Sequence, residues 1–267
     1  IGNDFVPKCS FIHIENEFFE DILDIYHDLA LPLTTTGKEI DIANFGTFLS
    51  RCFQIEDGLY TQAIGHYDKK RYIERETDPK KILEGQINRL PLYKKERCPF
   101  PDINTWRDDY YKYYEYKLDK SDIMEMCNTW INTIIWNFDY YFNSCKDYHY
   151  YYPYNCSPTL RDIVQFLKKG SITDIIHENP PLKTEEQLTL ILPYTSHCFL
   201  KETSRVLIDK YLDDFYPGKF RVLMWGKTYY HESIPILPKL DIMRYIKVWK
   251  KMDTIDNSSP ITLRQGN

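Results

Sequence analysis

Apolar residues recur at helical spacing through much of the chain. Ile14, Phe18, Ile22, Ile25, Tyr26 and Leu29 form a stripe over residues 14–30 that stops at Pro32, which predicts a first helix. A polar break from Thr34 to Glu39 separates it from Ile42, Phe45, Phe48, Leu49, Cys52 and Phe53, the stripe of a second. A third is expected over 57–76, leading into the charged stretch 69–81. Prolines within 91–105 mark a surface loop. Helical pattern resumes near Trp106, and from Ser121 a long helix puts Ile123, Cys127, Trp130, Ile131, Ile134 and Phe138 on one face. It is apolar around much of its circumference, so a central position is expected. The tract from Tyr148 to Pro158 is too rich in Tyr and Pro for a regular element. Short helices follow at 159–168, stopped by Gly170, from 184, where Thr184 and Gln187 suggest a capping box, and at 202–212. Lys219 to Leu237 is β-rich on both sides of Gly226-Lys227 and reads as a hairpin. The fold class expected is mainly α-helical (α+β), with a small β-hairpin near the C-terminus and no internal repeats.

Composition changes this picture in one respect. The chain carries 23 Tyr, 14 Phe and 5 Trp, and tyrosine suits half-buried surfaces and ligand-lined clefts because it joins apolar area to a hydroxyl. A net charge of −5 argues against phosphate-backbone binding as the dominant business of the chain, though not against a local basic channel. The 7 cysteines are scattered without a CxxC, which suggests neither a disulfide framework nor a zinc site and fits a reducing, intracellular compartment. The cytoplasm is expected, with the nucleus left open. No apolar run reaches the roughly 18 residues of a membrane span, so no membrane partner is expected. Ile1-Gly2-Asn3-Asp4 starts the chain inside a turn and without Met, which reads as a piece cut from something longer.

Local sequence alone makes Asp4 a helix cap, and makes the acidic residues Glu15, Glu17, Glu20, Asp21 and Asp24 the solvated face of the first helix. The histidines show no ligand spacing. A different picture comes from several tracts taken in order. These are Gly2-Asn3-Asp4-Phe5-Val6-Pro7, Trp106-Arg107 with Tyr110-Tyr111, Trp136 with Tyr140-Tyr141-Phe142, and Tyr148 through Pro158. Pro181 with Glu186-Gln187-Leu188 and Leu192-Pro193, then Asp214-Phe215-Tyr216-Pro217 with Phe220, then Gly226-Lys227 through Leu237-Pro238, complete the series. Together they resemble the 5′→3′ exoribonucleases of the XRN family, in family order. The departures are Tyr148 and Tyr150, which stand where the family has tryptophans, and Asn155, which stands where it has His. These mark a divergent member, of viral or other fast-evolving origin.

The resemblance implies that residues 1–267 form one region, the helical second half of an XRN-type nuclease core, with the catalytic α/β half upstream. It makes Asp4 the last carboxylate of an acidic cluster that binds two Mg²⁺, and therefore the catalytic and metal-binding candidate. Gly2 and Asn3 form the supporting turn. Each Mg²⁺ takes about six oxygen ligands, so one Asp cannot hold the pair. The resemblance also implies an aromatic that stacks on a base at the RNA 5′ end, with Tyr150 the first candidate and Tyr148 the second. Tyr151, Tyr152 and Tyr154 read better as packing. The implied substrate is single-stranded RNA with a 5′-monophosphate, degraded to nucleoside monophosphates, and the implied partner is the N-terminal half of the same nuclease. Two alternatives stay open, a catalytically inactive RNA-binding scaffold of the same ancestry and a flap-endonuclease-like DNA nuclease.

Overall fold

The computed structural model describes residues 5–7, 18–69, 77–88, 98–115, 117–225, 227 and 229–256, and everything below refers to these. The architecture is mainly helical with two small strand pairs. The chain divides into two compact units, one of Ile1–Glu178 with Val222–Ile236, the other of Asn179–Arg221 with Leu237–Asn267.

In the first unit, α1 (Phe18–Leu29) packs on α2 (Ile42–Lys69), and between them β1 (Thr34–Thr35) pairs antiparallel with β2 (Glu39–Ile40). The polar break expected there is thus a hairpin. Gly37 takes the left-handed backbone that its turn needs, at φ 73°. The second and third helices expected at 42–53 and 57–76 are, as far as Lys69, one continuous helix of 28 residues, and 70–76 lie outside the described residues. The apparent break falls at Glu56 and Asp57, and both are tertiary partners rather than a terminus. Glu56 has no exposed surface, and its Oε2 accepts from Arg107 Nε and Nη2 at 3.1 and 2.7 Å while its Oε1 accepts from the Leu160 N–H at 2.8 Å. Asp57 Oδ1 accepts from Trp106 Nε1 at 3.0 Å and pairs with Arg107 at 2.8 Å. Burial pushes the Glu56 carboxyl above its ordinary range, against the opposing pull of Arg107. A short helix, α3 (Pro79–Asn88), has no counterpart among the expected elements. Its start was legible, because Pro79 sits at the first helical position and Asp78 Oδ1 accepts from the Lys80 N–H at 2.9 Å.

Helix α4 (Trp106–Glu115) presents Trp106, Tyr110, Tyr111 and Tyr114 to the core. Trp106 stacks on Tyr60 with centroids 4.3 Å apart. The long helix α5 (Lys120–Phe142) begins at a capping box, Asp119 accepting from the amides of Ser121 and Asp122 while Asp122 accepts from that of Asp119. As the apolar pattern predicts, it is central: Met126, Cys127, Trp130 and Ile131 have no exposure. It packs on α6 (Leu160–Lys169), which also lies on α2. Gly170 ends α6 as expected, its N–H donating to Phe166 O at 2.7 Å. Strands β3 (Arg221–Leu223) and β4 (Ile234–Ile236) pair as the small hairpin expected near the C-terminus, through a ten-residue connection containing a 3₁₀ turn at Tyr230–Glu232.

The second unit has its own core of Leu207, Leu212, Tyr245 and Trp249. It is built from α7 (Thr184–Ile191), α8 (Glu202–Tyr211) and α9 (Ile242–Asp256). The cap of α7 lies one residue earlier than expected. Glu186 accepts from the Lys183 N–H at 2.9 Å, and the reciprocal bond is missing because a Lys side chain has no acceptor. Helix α9 also went unexpected, although Asp241 caps it through the Arg244 N–H at 2.8 Å. The Asp-Phe-Tyr-Pro tract ties this unit together. Asp214 accepts from Arg244 Nη1 and Nη2 at 2.7 and 2.8 Å, and Tyr216 Oη donates to Thr189 O at 2.5 Å.

Candidate functional site

The C-terminal end of α5 and the tyrosine tract behind it form an aromatic surface in the first unit. Trp136 is its centre. The indole donates through Nε1 to Asp147 O at 2.8 Å, stacks on Tyr140 at 5.5 Å and meets Tyr150 at 5.8 Å. Phe5 packs edge-on against Trp136 at 5.3 Å and lies tilted against Tyr140 at 5.1 Å. The segment 5–7 therefore lies on the same aromatic cluster as the tyrosine tract, although more than a hundred residues separate them. Asp4, Asn3 and Gly2 fall outside the described residues.

Tyr150 is half-buried and fixed at its tip. Its hydroxyl donates to Thr129 O at 3.1 Å and shares a hydrogen bond with Thr133 Oγ1 at 2.9 Å. Burial pushes its pKa up to about 12, with the nearby Asp147 contributing, so the phenol stays neutral at physiological pH. Tyr150 thus offers shape and contact rather than proton transfer. Tyr148 is different, with 51 % of its surface exposed. Tyr140, Tyr141 and Phe142 are exposed as well, which makes the end of α5 a run of accessible rings. Large exposed aromatic patches on soluble proteins mark interaction surfaces, and every nucleobase has a face that can stack on such rings.

Sequence reasoning missed Asp147. It is buried, and its carboxylate accepts from the backbone N–H groups of His149 at 3.0 Å and His177 at 3.1 Å. The first of these bonds is an Asx-type turn, a signal present in the sequence as an Asp two residues ahead of the N–H that it binds. Tyr152 and Tyr154 pack against the core, and Tyr152 Oη donates to Cys156 O at 2.8 Å. Tyr151 remains partly exposed.

Among the described residues no group of three or more His, Cys, Asp or Glu could hold a metal ion. These residues do not by themselves fit a magnesium site. No helix of the described residues is long and apolar enough to cross a membrane.

Comparison with known proteins agrees with this architecture. The family model of the Xrn1 helical domain matches residues 102–258. The chain is 28% identical over 167 residues to a 5′-3′ exoribonuclease 2 of Aspergillus oryzae, an alignment covering 59% of this chain and 16% of that protein. A 5′-3′ exoribonuclease 2 of Debaryomyces hansenii is 31% identical over 176 residues, covering 57% of this chain and 17% of that protein. To a 5′-3′ exoribonuclease 1 of Schizosaccharomyces pombe it is 27% identical over 194 residues, 67% of this chain and 14% of that protein. The alignments thus take in less than a fifth of each of these relatives. With more than half of its length matched by the helical domain, and with the family's tracts present in order, the chain belongs to the XRN family.

Proposed function

We propose that this chain is the helical part of a 5′→3′ exoribonuclease that degrades 5′-monophosphorylated single-stranded RNA to nucleoside monophosphates. The observation that carries the reading is the convergence at the end of α5. Phe5, next to the Asp of the Gly-Asn-Asp-Phe tract, packs on Trp136 and Tyr140, and the same Trp136 meets Tyr150. A segment expected to lead into the acidic site and a segment expected to stack on RNA thus share one aromatic platform.

On this reading the helices wall off the reaction centre, and the rings of Tyr148 and Tyr150 hold the 5′-terminal base. Stacking is sequence-tolerant and contributes roughly 1–3 kcal/mol per base, which suits an enzyme that must step along any RNA. Asp4 supplies one carboxylate, and the remaining Mg²⁺ ligands come from an upstream N-terminal half of the same nuclease. The intact protein would act in the cytoplasm or nucleus.

The test is the intact protein with Mg²⁺ and a 5′-monophosphorylated RNA oligonucleotide. Release of nucleoside monophosphates from the 5′ end is expected, and Asp4→Asn is expected to reduce it by about a hundredfold or more. Residues 1–267 by themselves should be inactive. RNA binding without nucleotide release would favour the scaffold alternative, and preference for a blocked-end DNA flap would favour the flap-endonuclease one.

A further inference from the structure

Residues 148–159 form no helix or strand, and they include Pro153 and Pro158, which lack an N–H. Their C-terminal part is nevertheless buried, with Ser157 and Thr159 showing no exposed surface. Buried backbone groups need hydrogen-bond partners, and here side chains of α4 supply them. Tyr110 Oη donates to Ser157 O at 3.1 Å, and Tyr111 Oη accepts from the Thr159 N–H at 2.9 Å while donating to Asp162 Oδ2 at 2.7 Å. The Glu115 carboxylate accepts from the Asn155 N–H. Residues 107, 111 and 115 succeed one another at single-turn spacing along one face of α4, with Tyr110 beside them. Tyr110 and Tyr111 of the Trp-Arg-x-x-Tyr-Tyr tract therefore meet the backbone of the tyrosine tract at residues 157 and 159, and Glu115, one turn further along, meets it at residue 155. The other end of the tract is held separately, by Asp147 and by the Tyr150 hydroxyl on α5.

We propose that α4 is a template for the tyrosine tract, with Tyr110 and Tyr111 acting as positioning residues that set where the rings of Tyr148 and Tyr150 meet RNA. This rests on the functional reading above. The rings that contact the base project from a stretch anchored at both ends, so loosening the α4 end should misplace them without touching the chemistry. The variants Tyr110→Phe and Tyr111→Phe keep the ring packing and remove only the hydroxyl.

The experiment uses the intact nuclease and a 5′-monophosphorylated single-stranded RNA. It compares these variants with Tyr148→Ala, Tyr150→Ala and the core control Leu59→Ala, each at a temperature where it remains folded. For Tyr111→Phe the expected result is a KM raised about tenfold with kcat changed less than about twofold, in the direction of the alanine variants and within the range of one lost stack. Leu59→Ala should lower Tm and leave KM unchanged. A Tyr111→Phe enzyme with unchanged KM, beside alanine variants with raised KM, overturns the positioning role and leaves the platform standing. Unchanged KM in the alanine variants as well overturns both.

Discussion

Replacing Arg107 by methionine should open the junction of α2, α4 and α6. Methionine keeps an apolar stem near the Trp106 ring, over which the guanidinium lies at 4.5 Å, and removes the charge. What remains is the Glu56 carboxylate, with no exposed surface and with the Leu160 N–H as a remaining donor. Removing one member of a buried ion pair costs about 3–5 kcal/mol. The Leu160 bond persists and the contact to the half-exposed Asp57 adds little, so the lower end, about 3 kcal/mol, is expected. The loss should also depend on pH. Burial holds the Glu56 pKa above its ordinary 4.5, so the folded state takes up that proton more readily than the unfolded one. For such a group stability is greatest below the unfolded pKa and falls as pH rises through the folded pKa. Without Arg107 the folded pKa rises further, and the deficit of the variant widens from about pH 4.5 towards neutrality. Hydrogen exchange of α6 peptides in the intact protein measures this directly. At pH 7.5 protection should fall by about 150-fold, the equivalent of 3 kcal/mol, and by much less at pH 4.5. Equal protection at pH 7.5, or a deficit independent of pH, would refute the pairing as the source of stability here.

Three further outcomes are expected. Tyr150→Phe should cost about 1 kcal/mol in urea unfolding, because one hydroxyl is lost while Thr133 Oγ1 keeps its own bond to Thr129 O at 2.7 Å. Asp147→Ala leaves the amides of His149 and His177 without their acceptor, at a cost of roughly 1–3 kcal/mol, visible as faster exchange in peptides around residues 147–150 and 177. Leu212→Ala empties a fully buried position of the second core and should cost about 2–5 kcal/mol, read as lost protection in α8 and α9.

Much of the fold was legible because it rests on local periodicity. Helix α5 shows its apolar circumference, α6 its stop at Gly170, and the irregular tyrosine tract its prolines. The failures share one cause. Glu56 looked like a polar break in α2, since nothing nearby in sequence reveals that Arg107, 51 positions away, will neutralise it. The Thr34–Ile40 hairpin reads as a polar linker until its pairing is seen. In the candidate site, the resemblance ranks Tyr150 ahead of Tyr148 but does not reveal how each ring is held. Their difference, one ring exposed and the other tied by its hydroxyl to α5, depends on Thr129 and Thr133, which in sequence are only polar residues on a helix. Asp147 was missed because its partners include the backbone of residue 177, which no local pattern can indicate.

The path of the chain through the two units sets an order for synthesis. The first unit is not finished at Glu178, because its core still awaits Leu223 and Trp225, the latter meeting Phe100 at 4.7 Å. Those residues leave the ribosome only after 179–221 has been made, and that stretch in turn waits for Tyr245 and Trp249 to close its own core. At about 5–20 residues per second, making residues 179–236 takes about 3–12 s, during which neither unit is complete. The nascent protein thus carries two unfinished apolar surfaces at once. Chaperone demand should peak in this window, and a truncation at the apparent boundary of Glu178 should yield an aggregating product, not a smaller folded one.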